Sequence, residues 1–455
     1  MTNSHQALIP RRAGLERGAA QNPHANIFVD HVAVGSAGTA GFGLLARWLR
    51  RQVLTRMANL VGGTLTIHDA LGSVVLGSAA VVNGLPPLHA TLRIHHGDMW
   101  VAMGLGGTVG AADAYIRGAW DCDDLTTAVR LLARNRQVLG DLDGGLVNLL
   151  TAPLRRVLHW FNRNSIAGAK RNIAAHYDLG NDLFRCMLDP TMMYSSAIFP
   201  HPAATLEEAQ IHKCELICER LELKSGEHLL EIGTGWGYFA IHAARTRGVR
   251  VTTTTISREQ YALAVERIAA AGLSDRIQVV MEDYRTLTGT FDKLVSIEMV
   301  EAVGWEHYPT YLGACSRLLK PEGLALLQAI TIADQEYERA KREVDVIKRF
   351  IFPGSCIPSV TALVSAATRS GDLRLAALDD HTPHYVHTLA QWQANCRRER
   401  DTIAGLGYDE PFRRMWDFYL SYCAGGFAER AIGVTHLLFA KPAWRQAAQH
   451  SLGYA

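Results

Sequence analysis

The segment Glu231-Ile232-Gly233-Thr234-Gly235-Trp236-Gly237 constrains the fold of this chain more than any other. The apolar pair Leu229-Leu230 leads into it and Phe239-Ala240-Ile241 leads out. The pattern predicts a strand ending in an acid, a glycine turn, and a helix with one buried face. Glycines in such a turn let a nucleotide-like ligand lie against bare backbone. Glu231 stands where a carboxylate can hold an amino group or a ribose hydroxyl. A turn of this composition also serves as plain β-turn-α structure, so the rest of the chain has to decide.

From about residue 223 the sequence alternates strand and helix patterns. Strands are predicted at 228–232, 249–255, 277–280, 293–297 and 323–330, and helices near 237–245, 258–271 and 308–319. That rhythm implies an α/β fold, a parallel sheet covered by helices on both faces. Ligands in such sheets sit beyond the carboxyl ends of the strands. The positions to inspect are therefore 233–237, 255–260, 282–285, 297–301 and 329 onward.

With 455 residues, 48% of them apolar, the chain has material for two or three domains. Residues 44–145 read as a small α+β domain. It has β-rich pieces at 63–67, 74–76 and 90–94, a glycine loop at 104–107, a helix from Thr108 and another opened by Asp124. No catalytic cluster is evident there, and packing, oligomerisation and lipid handling all suit it. Residues 1–43 lack a signal-peptide core and read as a mobile arm of a soluble protein, and 446–455 as a tail. The larger domain spans 176–445.

Between them, 146–175 reads as a basic linker helix. No acid occurs from Gly144 to Tyr177, while Arg155, Arg156, Arg163, Lys170 and Arg171 flank Leu154, Val157, Leu158, Trp160 and Phe161. Such a helix suits an anionic membrane surface or a packed linker equally. Leu44, Leu45, Trp48, Leu49 and Val53 repeat the pattern beside Arg47, Arg50, Arg51 and Arg56. Neither stretch supplies the roughly 20 apolar residues that span a bilayer. The net charge of +2 gives no global case for nucleic acid. Eight dispersed cysteines show no zinc-ligand spacing and suit a reducing cytoplasm.

Two features argue against a dinucleotide. The phosphate fingerprint needs a third glycine where Tyr238 stands, and the second strand runs into Thr252-Thr253-Thr254-Thr255-Ile256-Ser257 with no acid before Glu259. Hydroxyls and Gln260 bind a ribose or carboxylate by neutral hydrogen bonds, and Glu282-Asp283 can receive an adenine amino group. An adenosyl ligand without pyrophosphate fits, which points to S-adenosylmethionine.

Several separated motifs then converge: His176-Tyr177-Asp178-Leu179-Gly180-Asn181-Asp182, Met193-Tyr194-Ser195-Ser196-Ala197, the glycine turn, Thr255-Ile256-Ser257-Arg258-Glu259-Gln260, Asp283-Tyr284-Arg285, Phe350-Ile351-Phe352-Pro353-Gly354, and Phe418-Tyr419-Leu420 with Cys423-Ala424-Gly425. In these the chain resembles the cyclopropane-fatty-acyl-phospholipid synthases and the related fatty-acid and mycolic-acid methyltransferases, over about 162–442. The resemblance implies a Rossmann-like class I S-adenosylmethionine-dependent methyltransferase domain behind a smaller N-terminal α+β domain. It also implies a lipid-facing role for that first domain.

Members of that family methylate the double bond of an unsaturated acyl chain. The resemblance implies cofactor contacts from Tyr177, Ser195, Glu231, Gly233, Gly235, Gly237, Thr255, Ile256, Gln260 and Asp283. In the resembled enzymes the proton acceptor is a bicarbonate held by a cysteine, a glutamate, a histidine, a tyrosine and backbone groups. Glu301, Tyr419 and the backbone of Ile330 take up three of these roles here. Ser196 stands at the cysteine position, Gln328 at the histidine position, and Ala302 where many relatives have a further histidine. Neither replacement carries an imidazolium charge. The implied product is a cyclopropane ring on a phospholipid acyl chain, the alternative a methylene- or methyl-branched chain.

The expected setting is the inner face of the cytoplasmic membrane, peripherally bound to anionic lipid, as a homodimer and without a metal. His381, His384 and His387 are expected at a turn on the acyl-pocket rim, and Cys356 and Cys423 in core packing.

Overall fold

The computed structural model describes residues 42–136 and 180–445. The N-terminal arm, the basic linker stretch with Tyr177, and the C-terminal tail lie outside the described residues.

The first unit runs α1 (Leu44–Met57), β1 (Gly63–Asp69), β2 (Gly72–Ser78), β3 (Leu88–Ile94), α2 (Asp98–Ile116), β4 (Trp120–Cys122) and α3 (Leu125–Arg134). Its sheet has the order β2-β1-β3-β4, with β1 and β3 parallel and the other pairs antiparallel. Alternation in β1 and β3 sends Leu65, Ile67, Leu92 and Ile94 inward, because successive side chains of a strand point to opposite faces. Helix α1 buries Ala46, Leu49, Val53 and Met57, a single helical stripe. The expected glycine loop at 104–107 is instead the middle of α2, broken only at Gly107, whose φ of 57° and ψ of −140° are non-helical. The helix expected from Thr108 follows this kink.

The second unit runs α4 (Asn181–Met187), α5 (Leu206–Arg220), β5 (His228–Ile232), α6 (Tyr238–Arg247), β6 (Arg250–Thr254), α7 (Arg258–Ala270), β7 (Ile277–Val280), β8 (Phe291–Ile297), α8 (Tyr308–Leu318), β9 (Leu319–Ile332), α9 (Asp334–Ala340), α10 (Val360–Ser370), β10 (Arg374–Asp380), α11 (Thr382–Arg398), α12 (Arg400–Gly405), α13 (Glu410–Ala428) and β11 (Ile432–Ala440). Seven strands order as β10-β11-β9-β8-β5-β6-β7. All five predicted strands are present, and β10 and β11 extend the sheet beyond them. Strands β7, β6, β5, β8 and β9 are parallel, while β11 runs antiparallel to both neighbours. Strand order reverses between β5 and β8, which opens a crevice above their carboxyl ends. Apolar clusters cover both faces, one around Leu230, Leu294 and Leu327, the other around Leu229, Val295 and Leu326.

Helix α13 joins the two units. Gly425 faces α3 so closely that an added Cβ would lie 2.5 Å from Val129 Cγ1. Arg134 and Arg130 both donate to the Glu429 carboxylate, at 3.0 and 2.9 Å through their Nε atoms. Arg414 donates to the carbonyls of Tyr115 and Trp120, and Tyr115 donates to Asp417 at 2.9 Å.

Candidate active site

The glycine turn opens directly from β5. Gly233, Gly235 and Gly237 have φ of 102°, 52° and 83°, a region side chains with Cβ avoid. Gly237 caps α6 in the left-handed conformation. The amides of Gly233 and Thr234 donate to the Thr254 carbonyl, at 3.1 and 3.0 Å, which pins the turn to β6. Nothing lies within 4 Å of a Cβ placed on Gly235, so the backbone there is open to a ligand.

Thr255 donates to Gln260 Oε1 at 2.8 Å, and Asp283 accepts from Arg285 Nε and Nη2 at 2.8 and 2.7 Å. These groups and Ile256 line one cleft with the turn. With Glu282 and Asp283 at its edge and Tyr238 where the third phosphate-binding glycine would stand, the cleft fits an adenosyl cofactor without a pyrophosphate.

Glu231 lines the same cavity as the turn. Its carboxyl accepts from Thr253 Oγ1 at 2.6 Å beneath the turn, and burial raises its pKa to about 8. It braces the strand ends as a neutral acid. Ser195 Oγ accepts from Lys213 Nζ at 2.7 Å. That lysine is wholly buried on α5, and desolvation lowers its pKa to about 8.

Beyond β8 stand two carboxyl groups. Glu298 has a φ of 49°, unusual for a residue with a side chain. Its Oε1 accepts from the Ser196 amide and from Gln328 Nε2, both at 2.8 Å, and its Oε2 from the Tyr385 hydroxyl at 2.7 Å. Gln328 is oriented in turn, its Nε2 donating to the Ser196 carbonyl at 3.1 Å and its Oε1 lying 2.9 Å from His436 Nε2. Glu301 Oε1 accepts from the Ile330 amide at 2.5 Å, and its Oε2 is buried without a hydrogen-bond partner among the described residues. Desolvation, then the charge of Glu298, raises the Glu301 pKa to about 8.

Ser196, Gln328, Glu301 and Ile330 thus come together as expected. Ser196 and Gln328 hold the Glu298 carboxylate, while Ile330 holds Glu301, rather than framing an open anion site. The Ser196 hydroxyl turns to the Ala197 carbonyl at 3.1 Å, leaving its amide to make the contact. The Tyr419 hydroxyl lines the cavity and pairs with that of Tyr194 at 2.8 Å, while Tyr385 is the tyrosine that donates to Glu298. A bicarbonate does not fit among these groups as they stand, because the Ser196, Gln328 and Ile330 donors are already engaged. Sequence reasoning missed Glu298, Tyr385 and Lys213. An acid ending a buried strand was a visible signal, but the motif drew attention to Glu301.

One cavity of about 640 Å³ contains the cleft, both carboxyl groups and Tyr419. It continues past Phe418 and Tyr422 into the first unit, where Ile67, Leu92, Met99 and Leu132 line it. His381, His384 and His387 are absent from its lining. They stand instead at the start of α11, where the first two face His436 and Phe199 and the third faces Phe199.

The seven-stranded order, the glycine turn and the adenosyl-shaped cleft define a class I S-adenosylmethionine-dependent methyltransferase. A family model described as mycolic acid cyclopropane synthetase matches residues 165–437, and the chain belongs to that family. Over 373 residues it is 36% identical to the tuberculostearic acid methyltransferase of Mycobacterium tuberculosis, covering 78% of this chain and 84% of the relative. Over 368 residues it is 36% identical to the cyclopropane-fatty-acyl-phospholipid synthase of Escherichia coli, covering 79% and 90%. A solved mycolic acid cyclopropane synthase, CmaA1 in complex with SAH and CTAB, superposes with a TM-score of 0.57 at 31% identity over 60% of this chain and 98% of that one.

Proposed function

We propose that this enzyme methylates the cis double bond of an unsaturated acyl chain on a membrane phospholipid, and that the delivered carbon closes a cyclopropane ring. The observation that carries the reading is the single cavity joining the cofactor cleft, the paired carboxyl groups and an apolar passage into the N-terminal unit. Bound S-adenosylmethionine supplies an electrophilic methyl, strong enough for a nucleophile as weak as an alkene. The chain's own part is to align an apolar tail with that methyl, exclude water, and accept one proton. Apolar walls from Ile67 to Phe418 serve the first two tasks, and the carboxyl pair beyond β8 the third.

A second reading gives a methyl- or methylene-branched chain without ring closure. It is supported by the neutral Ser196 and Gln328 and by the likeness to a tuberculostearic acid methyltransferase.

The membrane setting is part of the proposal. Among the described residues no helix is long and apolar enough to cross a membrane. Helix α1 nevertheless exposes Leu44, Leu45 and Trp48 beside arginines, a pattern suited to an anionic surface. Labelled S-adenosylmethionine and unsaturated phospholipid vesicles test the reaction. Label in the acyl fraction supports it, and mass spectrometry after double-bond derivatisation separates ring from branch. No label there would sink the assignment.

A further inference from the structure

We infer that Glu298 is the proton acceptor of this reaction, a carboxylate built into the chain where the resembled enzymes hold a free anion. The inference rests on the methyl-transfer reading above and departs from the bicarbonate it suggested. Three donors from three separate segments, Ser196 N, Gln328 Nε2 and Tyr385 Oη, converge on this one side chain. All three donors are neutral, and the buried Lys213 ammonium adds a favourable charge nearby. Glu298 adopts a left-handed backbone to reach them, a conformation that persists only where the surroundings enforce it. It lines the cavity together with Glu301.

Division of labour between the two follows from their settings. Glu301 has one backbone donor and sits beside a second carboxyl, so its proton stays on. Burial pushes the Glu298 pKa up as well, but the Tyr385, Gln328 and Ser196 donors and the Lys213 charge oppose it, so the shared negative charge rests on Glu298, the partner with more donors.

In the step itself the alkene π pair bonds to the methyl carbon as the sulfur–carbon bond breaks, and that bond's electrons leave on sulfur as a neutral thioether. Positive charge passes to the neighbouring chain carbon. A proton then leaves the delivered methyl or an adjacent chain carbon for the Glu298 carboxylate, and the C–H pair closes the ring or forms a new double bond. Three hydrogen bonds lower the carboxylate's nucleophilicity, so it takes the proton rather than trapping the cation as an ester.

The test compares wild type, Glu298→Gln and Glu298→Gly in carbonate-depleted buffer and with bicarbonate added. Glycine suits the left-handed backbone, and S-adenosylmethionine binding by calorimetry reports that each variant is folded. Wild-type turnover is expected to ignore bicarbonate, and Glu298→Gln to lose about 100-fold or more in turnover with cofactor affinity retained. Glu298→Gly should bind 13C-bicarbonate by NMR and regain turnover with it, whereas wild type binds none.

Wild-type stimulation by bicarbonate, or full turnover in Glu298→Gln, would overturn the inference. The NMR measurement needs no acyl substrate. A wild type that binds no bicarbonate and also labels no lipid would therefore count against the acyl reading and leave the occupied anion site standing.

Discussion

At the scale of single residues, the site is built from carboxyl groups held away from bulk solvent. A left-handed residue with a side chain costs on the order of 1–3 kcal/mol, and Glu298 offsets that cost with three hydrogen bonds. Glu231 offers a check on this electrostatic picture. Its pKa in the folded chain, about 8, exceeds that of an unfolded glutamate, so the folded state binds the extra proton between roughly pH 4.3 and 8. Its stabilising contribution is therefore complete below that window and fades as pH rises through it. The melting temperature of wild type should fall from pH 5 to 8, and Glu231→Gln should flatten that decline. An unchanged slope in the variant would show that Glu231 is not the titrating group. The glycines, Gln260 and Asp283 were legible because backbone conformation and hydrogen-bonding capacity are local properties. Glu298 and Tyr385 were not, since their meeting depends on where α11 packs against β11 and α13, and nothing local encodes that.

Among elements, the joint between the units is the most specific packing feature. Gly425→Leu should force α13 from α3 and destabilise the chain by about 1–3 kcal/mol, visible as a lower urea midpoint and faster proteolysis between the units. Retained stability would mean the contact is dispensable. On α1, Trp48→Glu should weaken binding to anionic vesicles several-fold in a flotation assay while leaving cofactor affinity alone, because Trp48 is 58% exposed. Equal flotation would remove α1 from the membrane contact. The predicted strands β5 to β9 were readable from their alternation with helices. Strand β11 was not, for Val434-Thr435-His436-Leu437-Leu438-Phe439 is buried throughout and shows no alternation that separates a buried strand from a helix. At 104–107 the glycines signalled a break that is present only as a kink at Gly107, after which the helix expected from Thr108 runs on.

For the molecule as a whole, the proposed reaction rests on one chamber shared by both units. The sequence indicated a small α+β unit and a cofactor-binding unit, and left the work of the first open among packing, oligomerisation and lipid handling. That its interior continues into the catalytic cavity follows only from the docking of α13 across α2 and α3, a long-range contact with no sequence signature. If this chamber holds the acyl chain, filling its N-terminal end must stop methyl transfer without touching the cofactor. The most direct measurement is single-turnover methyl transfer to unsaturated phospholipid vesicles by Leu132→Trp beside wild type, with S-adenosylmethionine affinity measured in parallel. The account predicts unchanged cofactor affinity and transfer reduced about 10-fold or more, the cost of misplacing a reacting chain. Transfer at the wild-type rate in a folded Leu132→Trp would contradict it.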